Sequence, residues 1–247
     1  MLGNQENKVL GIDGCKTGWC VAVYDGMNYS IEIHSTLNQF LHEHSEAICC
    51  LIDMPIGLPR NGEKRDLETI ARKELSPGFS YTIFTPPCYE VLSATNYDEA
   101  KRINQQITGK SLSIQSWNLV PKIKELDQFL EQHPVWKPKT MESHPEINFK
   151  NLNNGRLLKH RKAAKERVGI QERLAILSKH YQALPSFFIQ YRNRFKKSHV
   201  KDDDLVDALC LCLTAQIGID KGFHLIGERE PNTTTNSKNA IATIKST

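Results

Sequence analysis

Short apolar runs open the chain and set its predicted architecture. Val9-Leu10-Gly11-Ile12-Asp13 predicts a strand that ends on an acid, followed by a turn that uses Gly14 and Gly18. Residues 19–24 and 29–34 predict two further strands joined around Asp25-Gly26. Leu37, Phe40 and Leu41 give the next segment one apolar helical face. Residues 48–53 are almost uniformly apolar until Asp53, as suits a central strand covered on both sides. Hairpin-linked strands, a helix and a buried strand together predict a mixed α/β sheet.

The pattern then changes. Pro55 and Pro59 force a loop after Asp53, since proline restricts the backbone and removes donors. Residues 65–75 and most of 97–132 have helical spacing, with Pro121 as a start or a kink. The stretch 54–135 therefore predicts a largely helical elaboration within one domain covering 1–247. Residues 138–142 read as a weak strand, and Pro145-Glu146 as a helix start. Residues 171–183 and 204–219 predict helices, the latter with a near-continuous apolar body. Residues 223–226 predict a strand, residues 230–238 a polar mobile segment, and residues 240–244 a returning edge strand or a frayed end.

Composition narrows the class. With 247 residues, 39% hydrophobic and 24% charged, the chain is long enough for a sizeable core and typical of a globular protein. A net charge of +4 permits nucleic-acid binding without requiring it. The seven cysteines are odd in number and show no Cys-x-x-Cys spacing, so buried thiols in a reducing compartment are expected rather than disulfides or zinc. No run has the length of a membrane span or the form of a signal peptide, which predicts a cytoplasmic protein without a membrane partner. The acceptor-like Asn232-Thr233-Thr234 would need secretion to matter.

Candidate chemistry comes from acids at element ends. Asp13 and Asp53 close strands, Glu142 and Glu146 flank the 141–146 turn, and Asp203, Asp204 and Asp207 open the strongest helix. If the strands lie side by side, these carboxylates converge and need a cation to offset their repulsion. Oxygen-only donors select Mg2+ or Mn2+, and two such ions can hydrolyse a phosphodiester by activating water and neutralising phosphate charge. Asp13 and Asp53 are the strand-end ligands, Glu142 a third, and Asp204 or Asp207 the helical contribution. Asp202 and Asp203 read as solvent-facing caps, whereas Asp207 interrupts an apolar helix body and is the stronger ligand.

Basic residues supply candidate substrate contacts. Lys16 follows Asp13 closely, and His144 sits between Glu142 and Glu146. Gln115 and Lys122 could line a cleft beside Trp117. The run Lys159, His160, Arg161, Lys162, Lys165 and Arg167, with a second cluster from Arg192 to Lys201, could follow a DNA or RNA backbone. Tyr191 and Phe195 would serve equally as stacking surfaces or as the edge of a core. No phosphate-binding Gly-rich loop, zinc-protease motif or serine elbow is present. An ATP-dependent phosphotransferase of the actin and sugar-kinase type remains an alternative, as does a non-catalytic nucleic-acid binder. The sequence allows a homo-oligomer without specifying one.

Several separated motifs resemble the domain of unknown function 429 family, whose members are described as predicted nucleases with a ribonuclease H-like fold. They are Gly11-Ile12-Asp13-Gly14, Trp19, the 52–59 segment Ile-Asp-Met-Pro-Ile-Gly-Leu-Pro, the 113–118 segment with Gln115 and Trp117, Pro121-Lys122-Ile123, Glu142-Ser143-His144-Pro145-Glu146, and Asp203-Asp204-Leu205-Val206-Asp207-Ala208. The resemblance covers nearly the whole chain and implies a ribonuclease H-like mixed sheet with flanking helices. Through the wider similarity to ribonuclease H and Holliday-junction resolvases, it implies metal-holding roles for Asp13, Glu142, Asp204 and Asp207, with Asp53 at the neighbouring strand end. The polar Thr/Asn tail departs from the pattern.

Overall fold

The computed structural model describes residues 7–40, 43–227 and 240–246. The predicted mobile segment 230–238 and the Asn232 acceptor lie outside the described residues. Strands β1 (Val9–Cys15), β2 (Gly18–Tyr24) and β3 (Tyr29–His34) form an antiparallel meander. A one-turn helix α1 (Leu37–Phe40) leads to β4 (Cys49–Ile52), which lies parallel to β1. Helices α2 (Leu67–Glu74), α3 (Tyr97–Thr108) and α4 (Ile114–Gln132) follow before β5 (Thr140–Glu142) pairs parallel with β4. The sheet order is β3-β2-β1-β4-β5.

Helices α5 (Pro145–Leu152), α6 (Val168–His180), α7 (Leu184–Arg194) and α8 (Asp202–Lys221) complete the helical part. Residues 240–244 do return as a strand, but β7 (Ile241–Thr243) pairs with β6 (His224–Ile226) in a separate two-stranded sheet. Among the described residues no helix is long and apolar enough to cross a membrane. All seven cysteines are buried and unbridged.

Strand alternation divides the core between the two faces of the sheet. Val9, Cys20, Ala22, Ile31, Cys49 and Leu51 pack with α5 to α8. Leu10, Ile12, Trp19, Val21, Cys50 and Ile52 pack with α1, α3, α4 and the loops between β4 and β5. Side chains one residue apart on a strand point to opposite faces, so a single apolar run serves both layers. Gly11 is the exception that sets the approach of α8. A Cβ there would lie 2.1 Å from Cys212 N and 2.3 Å from the Ala208 carbonyl. The missing side chain lets α8 lie directly over β1, which brings the start of α8 to the end of β1.

Two helix expectations are narrowed by the structure, and one helix was not expected. Pro121 lies inside α4 and does not start it; the start is Ile114, where Ser113 Oγ accepts the Ser116 N–H at 3.1 Å. Residues 171–183 form a helix that begins earlier, at Val168, and ends at His180, after which Tyr181 is extended. Helix α7 was not predicted, because Pro185 and the polar residues between its aromatics weaken the pattern. Proline is tolerated there in the first turn, where its missing donor would have had no partner.

Candidate metal centre

The parallel strands β1, β4 and β5 end side by side, and each carries an acid at or next to its end. Asp13 lies within β1 near its end, Asp53 directly follows β4, and Glu142 ends β5. The Asp53 N–H donates to the Ile12 carbonyl at 3.0 Å and the Ser143 N–H to the Ile52 carbonyl at 2.9 Å, fixing the three strand ends in step. Helix α8 adds Asp204 and Asp207, three residues apart and therefore on one side. Helix α5 adds the buried Glu146 in its first turn.

Electrostatics marks these groups as neighbours. Burial, then Asp207, Asp53 and Asp204, hold the Asp13 carboxyl well above its ordinary range. Burial pushes Asp53 up to about 7, with Lys162 pulling it down and Asp207, Glu142 and Glu146 adding to the rise. Asp207 rises to about 6 through burial, against the pull of Lys162. Asp204 rises to about 6 for the same first reason, although its Oδ2 accepts the Lys201 N–H at 2.8 Å. Carboxylates that raise one another in this way are poised to accept a cation.

Two of the acids are already paired. The Arg65 guanidinium grips Glu142 at 2.5 and 2.7 Å, and the Ile56 N–H donates to the same carboxylate at 2.7 Å. Arg65 also contacts Glu68 at 2.7 Å and the Ile56 carbonyl at 2.7 Å. Burial still pushes Glu142 upward despite Arg65. Glu146 is held by the fully buried Arg173 at 2.7 and 2.8 Å. Glu142 thus reaches the strand ends as expected, but an arginine occupies it.

Lys162 sits among the acids. Its ammonium bonds Asp207 Oδ2 and lies 3.5 Å from Glu146 Oε1. Burial would lower its pKa, but Asp207, Glu146 and Asp13 outweigh that and raise it. Lys122 lies along the Asp13 side: a Cβ on Gly14 would come within 2.8 Å of its Cδ, and its ammonium is 4.5 Å from the Trp19 ring centre. It donates to the Gly18 carbonyl, and burial lowers its pKa. His144 caps α5; burial depresses it to about 4, and its Nδ1 has no hydrogen-bond partner. Lys16 and Gln115 are exposed, on the β1–β2 turn and in the first turn of α4. Arg167 pairs with Asp202 at 2.5 Å and not with the acidic group.

These residues fit a divalent cation on one observation of their own. Asp207 is buried, yet its Oδ1 has no hydrogen-bond partner, while its Oδ2 holds Lys162. A buried carboxylate oxygen without a donor is costly unless something positive meets it. The donors are all hard oxygens, as Mg2+ and Mn2+ prefer. The set is not closed, however. Among the described residues, the group with three ligand atoms all within 4.8 Å of one another is Glu32, His34 and His44.

That second group could also hold a metal ion. Glu32 Oε2 lies 2.9 Å from Nε2 of both histidines, and Phe40 packs on both imidazoles. Glu32 and His34 lie two residues apart on β3 and so share a face, a spacing visible in the sequence. Two imidazoles and one carboxylate suit zinc better than magnesium. Arg173 was missed as well; its place among Ile170, Ile176 and Leu177 on α6 marks it as buried but does not name its partner. Arg192, expected in a basic surface cluster, is buried and donates to the Val200 and Phe195 carbonyls.

A cleft of ≈ 690 Å3 lies beside Glu142, lined by Ile56, Tyr89, Thr140 and Met141 among others. Asp13, Asp53, Asp204 and Asp207 do not line it. Glu142 is the acid at the strand ends that also lines this cleft.

Fold and site together define a mixed α/β protein with an acidic centre at the ends of its parallel strands. The chain belongs to the family described as Protein of unknown function (DUF429), which it matches over residues 11–230. No curated protein and no solved structure matches it.

Proposed function

We propose that this protein is a divalent-metal-dependent nuclease of ribonuclease H-like fold that hydrolyses phosphodiester bonds in DNA or RNA. The observation that carries the reading is the unpartnered Asp207 Oδ1, buried among carboxylates that raise one another's pKa. The fold reading is supported by a meander followed by parallel strands, with Asp13 at the end of the first strand and further acids arriving later in the chain.

Asp13, Asp53 and Asp207 would hold Mg2+ or Mn2+, with Asp204 at the rim. Bound there, the cation supplies Lewis-acid stabilisation of phosphate charge and a more acidic water. The chain's own groups do the rest. Lys122, beside Asp13, offers a positive charge to a phosphate oxygen, and the exposed Lys159 and Arg161 offer further contacts along a backbone. Arg65 and Arg173 hold Glu142 and Glu146 in place, so that the strand and helix ends keep their spacing.

Incubation of the protein with single-stranded, double-stranded and branched DNA and RNA in Mg2+ or Mn2+ tests this directly. Metal-dependent cleavage is expected, falling by at least about a hundredfold in Asp13→Asn. Tight binding without turnover, unchanged in Asp13→Asn, would make the protein a non-catalytic binder instead.

A further inference from the structure

We infer that the Lys162 ammonium fills the second cation position of the acidic centre, so that the centre takes one divalent ion and not two. The inference rests on the proposed metal centre and narrows it.

Lys162 is a built component and not a surface lysine that happens to reach inward. The loop that carries it is clamped to the start of α6. Glu172 accepts the Lys159 N–H at 2.8 Å and the His160 N–H at 2.9 Å, and Arg173 donates to the His160 carbonyl at 3.1 Å. Gly169 completes the clamp, because a Cβ there would lie 2.0 Å from the Arg161 carbonyl. These contacts leave the Lys162 side chain three-quarters buried, on Asp207 and 3.5 Å from Glu146. The same Arg173 that fixes the loop also fixes Glu146, so the lysine and its acidic partners are positioned by one side chain.

Ligand supply points the same way. An ion pair about 4 Å apart needs carboxylates for both ions. Here Glu142 is bound by Arg65 and the Ile56 N–H, Glu146 by Arg173, and one oxygen of Asp204 by the Lys201 N–H. One oxygen of Asp13 accepts the Gly14 N–H at 2.8 Å, which leaves its other oxygen, Asp53 and the free Oδ1 of Asp207, enough for one hexacoordinate ion completed by water. Asp207 would then serve both charges, with Lys162 on its Oδ2 and its unpartnered Oδ1 left to help hold the ion. A monovalent charge fixed by the fold takes the place of a second metal.

The count of Mn2+ bound per chain, read by electron paramagnetic resonance, tests this. It is made in the His44→Gln background so that the Glu32 group does not contribute. One ion is expected with Lys162 in place, one in Lys162→Arg, and two in Lys162→Met. Two ions with Lys162 intact would overturn the inference and leave the metal centre standing. One ion in Lys162→Met would also overturn it. No ion in any of these proteins would instead remove the metal centre, and the inference with it. Should Lys162→Met fail to fold, the counts for the parent and Lys162→Arg still decide.

Discussion

Arg65 and Glu142 show how individual side chains hold the acidic centre together. Both are nearly inaccessible, at 3% and 9% side-chain exposure, and their contact joins residues 77 positions apart. Removing one partner leaves the other as a buried, uncompensated charge. Arg65→Met should therefore destabilise the protein by about 3–5 kcal/mol in urea denaturation. Adding Glu142→Gln to it should recover part of that loss. If Arg65→Met cost less than the double variant, Glu142 would not be depending on Arg65. Asp13, Asp53 and Asp207 could be singled out in the sequence because each interrupts or ends an apolar run. The cations that pair with the acids of the centre could not. Arg65, Lys162 and Arg173 sit in segments whose local pattern says only that they are helical or basic, and pairing over such separations is decided by tertiary packing.

At the level of elements, the strands and α8 were legible because burial on one or both faces forces a period in the sequence. The helix ends and α7 were less so, since capping and proline placement act locally and weakly. The contact between β3 and the turn after α1 has a pH signature. Hydrogen bonds from His34 and His44 hold the Glu32 carboxyl down to about 2, against an ordinary value of 4.5. A carboxyl lowered by folding adds stability above its unfolded pKa and loses it as pH falls. Glu32 should thus contribute on the order of 1–2 kcal/mol at neutral pH, allowing for its partial exposure, and the contribution should fade between pH 4.5 and 2. Thermal melts of the parent and Glu32→Gln should converge over that window. Parallel curves across it would show that the two histidines do not support an ionised Glu32.

Across the whole molecule, one sheet carries two cores and brings acids from residues 13 to 207 to one end. Asp13 comes from a strand, Asp53 from the loop after a strand, and Asp207 from a helix that Gly11 allows to lie against β1. The convergence could be expected from strand order alone, but the gaps between the carboxylates could not, nor could the arginines that tie up Glu142 and Glu146. The most direct test is anomalous diffraction from a crystal soaked in millimolar Mn2+. The account predicts a peak bounded by Asp13, Asp53 and Asp207 that disappears in Asp13→Asn. A map with no peak there, or with Mn2+ only at Glu32, His34 and His44, would contradict it.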